Sequence, residues 1–192
     1  AANAADDGRS AVTDRRRPFQ SIRKAKRPSG SESPEAIRAM HLQFYGAAGE
    51  VTGSCHILTV RGRTLLLDCG LIQGGDQPDI RNRQPFPFDA ATIDAVVLSH
   101  AHIDHCGRLP LLRKRGFRGP IYATPACRDL ARILLADSAF MAEREAERYR
   151  RRQAEHGNRH ARGFPDPLFT RVDADETIQQ FKPVAYGHAT EV

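Results

Sequence analysis

Between residues 41 and 123 the large apolar residues fall in short blocks separated by glycine, proline and charged positions, a pattern of short strands joined by turns. Residues 41–45 form the first strand candidate. Residues 55–60 and 64–68, joined through Arg61-Gly62-Arg63, read as a hairpin. Residues 93–99 are almost wholly apolar, as expected of a strand buried on both faces. Residues 120–123 are another strand candidate, and 109–115 reads as a short helix stopped by Gly116. Thr124-Pro125 then looks like an N-cap followed by proline at the first helical position. Cys127, Leu130, Ala131, Leu134, Ser138 and Met141 follow at helical spacing, which predicts one face packed on the sheet. Beyond Met141 arginine and glutamate alternate, extending the helix with mixed-charge support until Gly157-Asn158 ends it. That charged stretch suits a solvated face better than an RNA-contacting one. Residues 72–90, with Gly74, Gly75, Pro78, Pro85 and Pro87, read as a long loop, and 164–192 carries an acidic run at 173–176 before an apolar segment at 181–186.

Residues 1–39 have no sustained period and too few large apolar residues to offset the entropy of ordering, so they read as a disordered tail. Met40 stands directly before the first strand and is the expected start of the folded domain, 40–192. Nine basic residues against five acidic ones lie in that tail, which leaves only +2 of the net +6 for the rest. A nearly balanced folded part does not by itself announce a polyanion partner. No stretch has the apolar length to cross a bilayer and no secretion signal is evident, so the expected compartment is cytoplasmic, with no membrane partner. The four cysteines, Cys55, Cys69, Cys106 and Cys127, form no C-x-x-C pair and read as small buried apolar side chains.

Chemistry concentrates in Ser99-His100-Ala101-His102-Ile103-Asp104-His105-Cys106-Gly107, three imidazoles and a carboxylate at the end of an apolar run. On an extended segment alternate side chains share a face, so His100 and His102 can point at one cation, while Asp104 and His105, past the start of a turn, can face a second. Neutral imidazoles and a carboxylate suit zinc. Asp68 closes the run Leu65-Leu66-Leu67, where a carboxylate is costly unless hydrogen bonded or close to a cation. The glycine-rich stretch 46–53 lacks the Lys-Ser/Thr ending of a phosphate-binding loop and reads as backbone passing close to the site.

The His100–His105 motif resembles the signature of the metallo-β-lactamase superfamily, and Leu65-Leu66-Leu67-Asp68-Cys69-Gly70 is similar to that superfamily's first motif. Gly46-Ala47-Ala48-Gly49-Glu50-Val51-Thr52-Gly53-Ser54-Cys55-His56 resembles the opening of its β-CASP nuclease branch. The resemblance implies an α/β fold, the first half of an αββα sandwich of two facing sheets. It also implies two zinc ions, one held by His100 and His102 and the other by Asp104 and His105, with Asp68 behind the ligands and Asp104 orienting the attacking hydroxide. RNA is the implied substrate, hydrolysed at its phosphodiester bonds by a hydroxide that the two metals activate. The third-motif His, the fourth-motif Asp and the RNA-clamping segment of the family would fall beyond about residue 190. The expectation for the 192-residue chain alone is therefore weak metal binding, little nuclease activity and an open sheet edge on which a homodimer can form. Two other functions fit the same residues, a small-molecule thioester or ester hydrolase and a non-catalytic subunit of an RNA-processing complex, though retention of all four second-motif residues argues against the latter.

Overall fold

The computed structural model describes residues 40–156 and 163–192. The tail expected at 1–39 and the Gly157-Asn158 helix stop lie outside the described residues. Six strands form one mixed sheet in sequence order: β1 (Met40–Gly46), β2 (Cys55–Val60), β3 (Arg63–Leu67), β4 (Ala95–Val97), β5 (Ile121–Ala123) and β6 (Phe181–Pro183). β1, β2 and β3 pair antiparallel, and β3 to β6 pair parallel. The predicted hairpin turns on Arg61 and Gly62 at φ 48° and 71°, the positive angles that a two-residue turn needs to match strand twist.

The parallel half depends on crossovers. Five helices supply them or flank them: α1 (Pro78–Arg83), α2 (Ile103–Cys106), α3 (Leu109–Lys114), α4 (Pro125–His156) and α5 (Arg171–Ile178). One sheet face is sealed, since the in-register row Leu66, Val96, Ile121 and Phe181 is buried together with Leu109, Leu112, Phe117 and Phe169. The adjoining row, Leu67, Val97, Tyr122 and Lys182, is half-buried or exposed. The strand expected to be buried on both faces is sealed on the Val96 face and partly covered on the other, where Ala95 is buried and Val97 half-buried. This is the expected incomplete α/β arrangement, with one of the two facing sheets among the described residues. Its edge strands are β1 and β6, and on β1 Met40, Leu42 and Phe44 are 68%, 46% and 61% exposed.

Two expectations need correction, and one stretch that the sequence left without an element forms a helix. The stretch 72–90 contains α1, because Pro78 sits at the first helical position, where its missing N–H costs nothing. The acidic run at 173–176 lies in α5, started by a capping box in which Thr170 and Asp173 satisfy each other's backbone N–H groups. On α4 the buried seam is Cys127, Ala131, Leu135, Ala139 and Ala146, whereas Leu130, Leu134 and Met141 are exposed. The seam is made of small residues because α4 packs on α2, α5 and β6 rather than across the open sheet, and small side chains let helices approach closely.

Candidate metal centre

The site is built where β3 and β4 end side by side. Leu67 pairs with Val97 in parallel register, so the next residues, Asp68 and the Leu98-Ser99-His100 segment, emerge at the same sheet edge. Asp68 leaves its strand at φ 59°, a left-handed conformation that Asp tolerates better than most residues. That bend turns its carboxylate across to the neighbouring strand. Its Oδ1 accepts from the Ser99 backbone N–H at 2.8 Å. Its Oδ2 accepts from the Ser99 hydroxyl at 2.9 Å and the Ser54 hydroxyl at 3.2 Å, and lies 2.8 Å from His105 Nδ1. A buried carboxylate with this many donors is fully compensated.

The proton positions follow from those contacts. His105 Nδ1 faces an oxygen that can only accept, so Nδ1 carries a hydrogen, and in the neutral ring Nε2 is the nitrogen left free. Ser99 has one hydroxyl hydrogen, given to Asp68. At 3.0 Å from His100 Nδ1 it therefore accepts, and in the neutral ring His100 Nε2 is the free nitrogen as well. Ser54 likewise gives its hydrogen to Asp68 and accepts from His56 Nε2 at 3.3 Å, which leaves the buried His56 Nδ1 without a partner. Sequence reasoning missed Ser54, His56 and Ser99 as parts of this support. The neighbourhood Gly53-Ser54-Cys55-His56 and the Ser99-His100 step were the available signals.

Close backbone packing sets where the histidines stand. His102 precedes α2 in extended conformation and its ring makes no capping bond. The α2 turn is stitched to residues 54 and 69–71, with Ser54 N–H donating to Asp104 O, Cys69 N–H to His105 O and Leu71 N–H to Ile103 O at 2.7–3.0 Å. Gly70 makes this approach possible, since a Cβ there would lie 1.6 Å from Asp104 O. The His100 ring centroid lies 4.7 Å from that of His102 and 4.0 Å from that of His105, and Asp104 Oδ2 lies 3.6 Å from His105 Nε2. The structure thus brings all four motif residues and Asp68 to one edge. His102 is exposed, and His100, Asp104 and His105 are half-buried, open to solvent on one side. His188 is exposed in the terminal segment.

The donor set, three imidazoles and a carboxylate, fits zinc in type. The side-chain placement is looser, because among the described residues no group of three or more His, Cys, Asp or Glu side chains stands close enough to hold a metal ion. The cysteines behave as read from the sequence. All four are buried and free, burial pushes the Cys69 thiol well up and the Cys106 thiol up to about 12, and Cys106 donates its S–H to Ala101 O. No helix among the described residues is long and apolar enough to cross a membrane.

Residues 63–183 match the family described as the beta-lactamase superfamily domain. Ribonuclease TTHA0252 of Thermus thermophilus is 40% identical over 77% of this chain and 29% of its own length. Transcription termination factor FttA of Methanosarcina mazei is 40% identical over 54% of this chain and 16% of its own. Endoribonuclease YSH1 of Kluyveromyces lactis is 38% identical over 50% of this chain and 13% of its own. The chain spans under a third of the length of each of these relatives. A family match running from β3 through β6, around the edge where Asp68 meets the histidines, makes this chain a member of the metallo-β-lactamase superfamily whose homologues are β-CASP ribonucleases.

Proposed function

We propose that this chain is the N-terminal part of a zinc-dependent hydrolase of RNA phosphodiester bonds. The observation that carries the reading is the Asp68–His105 contact at 2.8 Å, the carboxylate–histidine pairing that fixes the tautomer of a metal-ligating imidazole. His100 and His102 would hold one zinc, and Asp104 and His105 a second. Bound zinc would supply Lewis-acid stabilisation of a phosphoryl oxygen and water acidic enough to attack at neutral pH. Asp68 orients His105 directly and His100 through Ser99, and Asp104 would also orient the attacking water. Two relatives carry ribonuclease names, which favours RNA over the thioester or ester substrates that similar donor sets serve.

The test uses the protein as its gene encodes it, with end-labelled RNA as substrate. Cleavage that needs zinc, is abolished by chelation and falls by at least about a hundredfold in His100→Ala and His102→Ala supports the proposal. Unchanged cleavage in both variants, or turnover of a thioester but not of RNA, refutes it.

A further inference from the structure

Away from the histidine motif, two cavities adjoin across Arg83 and Leu168. The larger, about 630 Å³, lies between α1, the second half of α4 and residues 163–169. The smaller, about 280 Å³, is lined by Arg83, Leu111, Lys114, Arg115 and Leu168. Arg83 and Leu168 belong to both. The larger is within the range that holds ligand-sized molecules, roughly 300–1,000 Å³.

The lining is arranged for an anion with an aromatic part. Arg148 and Arg152 stand four residues apart on α4 and both line the larger cavity, a like-charge placement that destabilises a helix unless something neutralises it. Among the described residues neither forms an ion pair with a carboxylate. Arg83 comes from α1 on the opposite wall. Its guanidinium lies 4.0 Å over the Phe164 ring and donates to Asp166 O at 2.8 Å. Tyr149 lines the cavity between the two α4 arginines and offers a ring on which a base can stack. Asp79, Glu145 and Asp166 also line the larger cavity. Against these three carboxylates the two cavities hold five cations, Arg83, Lys114, Arg115, Arg148 and Arg152, although Lys114 also sits 3.8 Å from Asp173.

We propose that this double cavity grips one nucleotide of a single RNA strand, its phosphate met by Arg83, Arg148 and Arg152 and its base laid on Tyr149, with Lys114 and Arg115 meeting the neighbouring phosphate. The site rests on the reading of the protein as an RNA hydrolase and adds where the strand is held outside the histidine cluster. Single strands are bound in this way, by cations that track the backbone and rings that take the bases.

The experiment measures binding alone. Fluorescence anisotropy of a short labelled oligoadenylate is followed in EDTA, across a salt series, with the protein as its gene encodes it. Losing two phosphate contacts should make the plot of log K against log[salt] shallower by about 1.4 and weaken binding by about tenfold or more in Arg148→Ala/Arg152→Ala. Tyr149→Ala should lose about fivefold or more, and Arg148→Lys/Arg152→Lys should keep the slope. Arg61→Ala/Arg63→Ala removes as much charge from the β2–β3 turn and should change little. If wild type binds RNA but the cavity variants match it, or if the turn variant weakens binding as much, the site is wrong while the RNA reading stands. If wild type binds no RNA even at low salt, both fall. Competition by inorganic phosphate or adenosine monophosphate as effective as that by the strand overturns the strand assignment.

Discussion

Asp68→Asn isolates the contact on which the site reading depends. Asparagine is nearly the same size and accepts the left-handed conformation, so the φ of 59° is no obstacle. Its carbonyl still accepts from the Ser99 N–H in place of Oδ1. The amide nitrogen that replaces Oδ2 only donates, and it faces three hydrogens, from His105 Nδ1, Ser99 and Ser54. The two hydroxyls can rotate to become acceptors. The imidazole can pair with the amide only by moving its proton to Nε2, which blocks the nitrogen that was free for a cation. A hydrogen bond to a charged group contributes about 1.5–3 kcal/mol and a neutral one about 1, so the exchange should cost about 2 kcal/mol. At about 2–4 °C per kcal/mol for a domain of this size, the Tm should fall by about 4–8 °C, and zinc binding should weaken by about 10–100-fold. Thermal denaturation gives the first number. Long-range nitrogen–proton NMR correlations of the His105 ring give the tautomer. A variant that melts within about 1 °C of wild type and keeps its proton on Nδ1 refutes the reasoning.

Gly70→Ala should be among the most damaging single changes, because its Cβ would collide with Asp104 O at 1.6 Å and with the neighbouring backbone carbon at 2.1 Å. A loss on the order of 3 kcal/mol or more is expected in urea titrations, and a midpoint equal to wild type would contradict the packing described. Thr170→Ala removes one half of the capping box at α5 and should cost about 1 kcal/mol. Thr170→Ser should restore most of it, so equal losses in the two variants would rule out the cap as the cause. The exposed β1 edge should drive self-association of the 192-residue chain. Light scattering should show Leu42→Lys/Phe44→Lys shifted toward monomer, and an unchanged oligomer would show that this edge is not the contact.

The sequence by itself determined five of the six strands and where the candidate donors cluster. Hydrophobic blocks bounded by Gly62, Gly116 and Pro120 marked β2, β3, α3 and β5, because short-range periodicity and turn residues are local properties. The donor cluster His100, His102, Asp104 and His105 was equally legible, since four donors fell within six residues. Local pattern misread Pro78 as a breaker and left the acidic run without an element, though Pro at a first turn and Thr170-x-x-Asp173 both start helices. Which face of α4 is inside was decided by its neighbours: the helix packs on α2, α5 and β6 and buries Cys127, Ala131, Leu135 and Ala139, and no periodicity states how near a partner helix will come. Tertiary structure alone also brought Ser54, Asp68, Ser99 and His105 together, from positions up to 51 residues apart. Parallel pairing of β3 with β4 creates that meeting, and strand register is a long-range choice that only the assembled sheet can make.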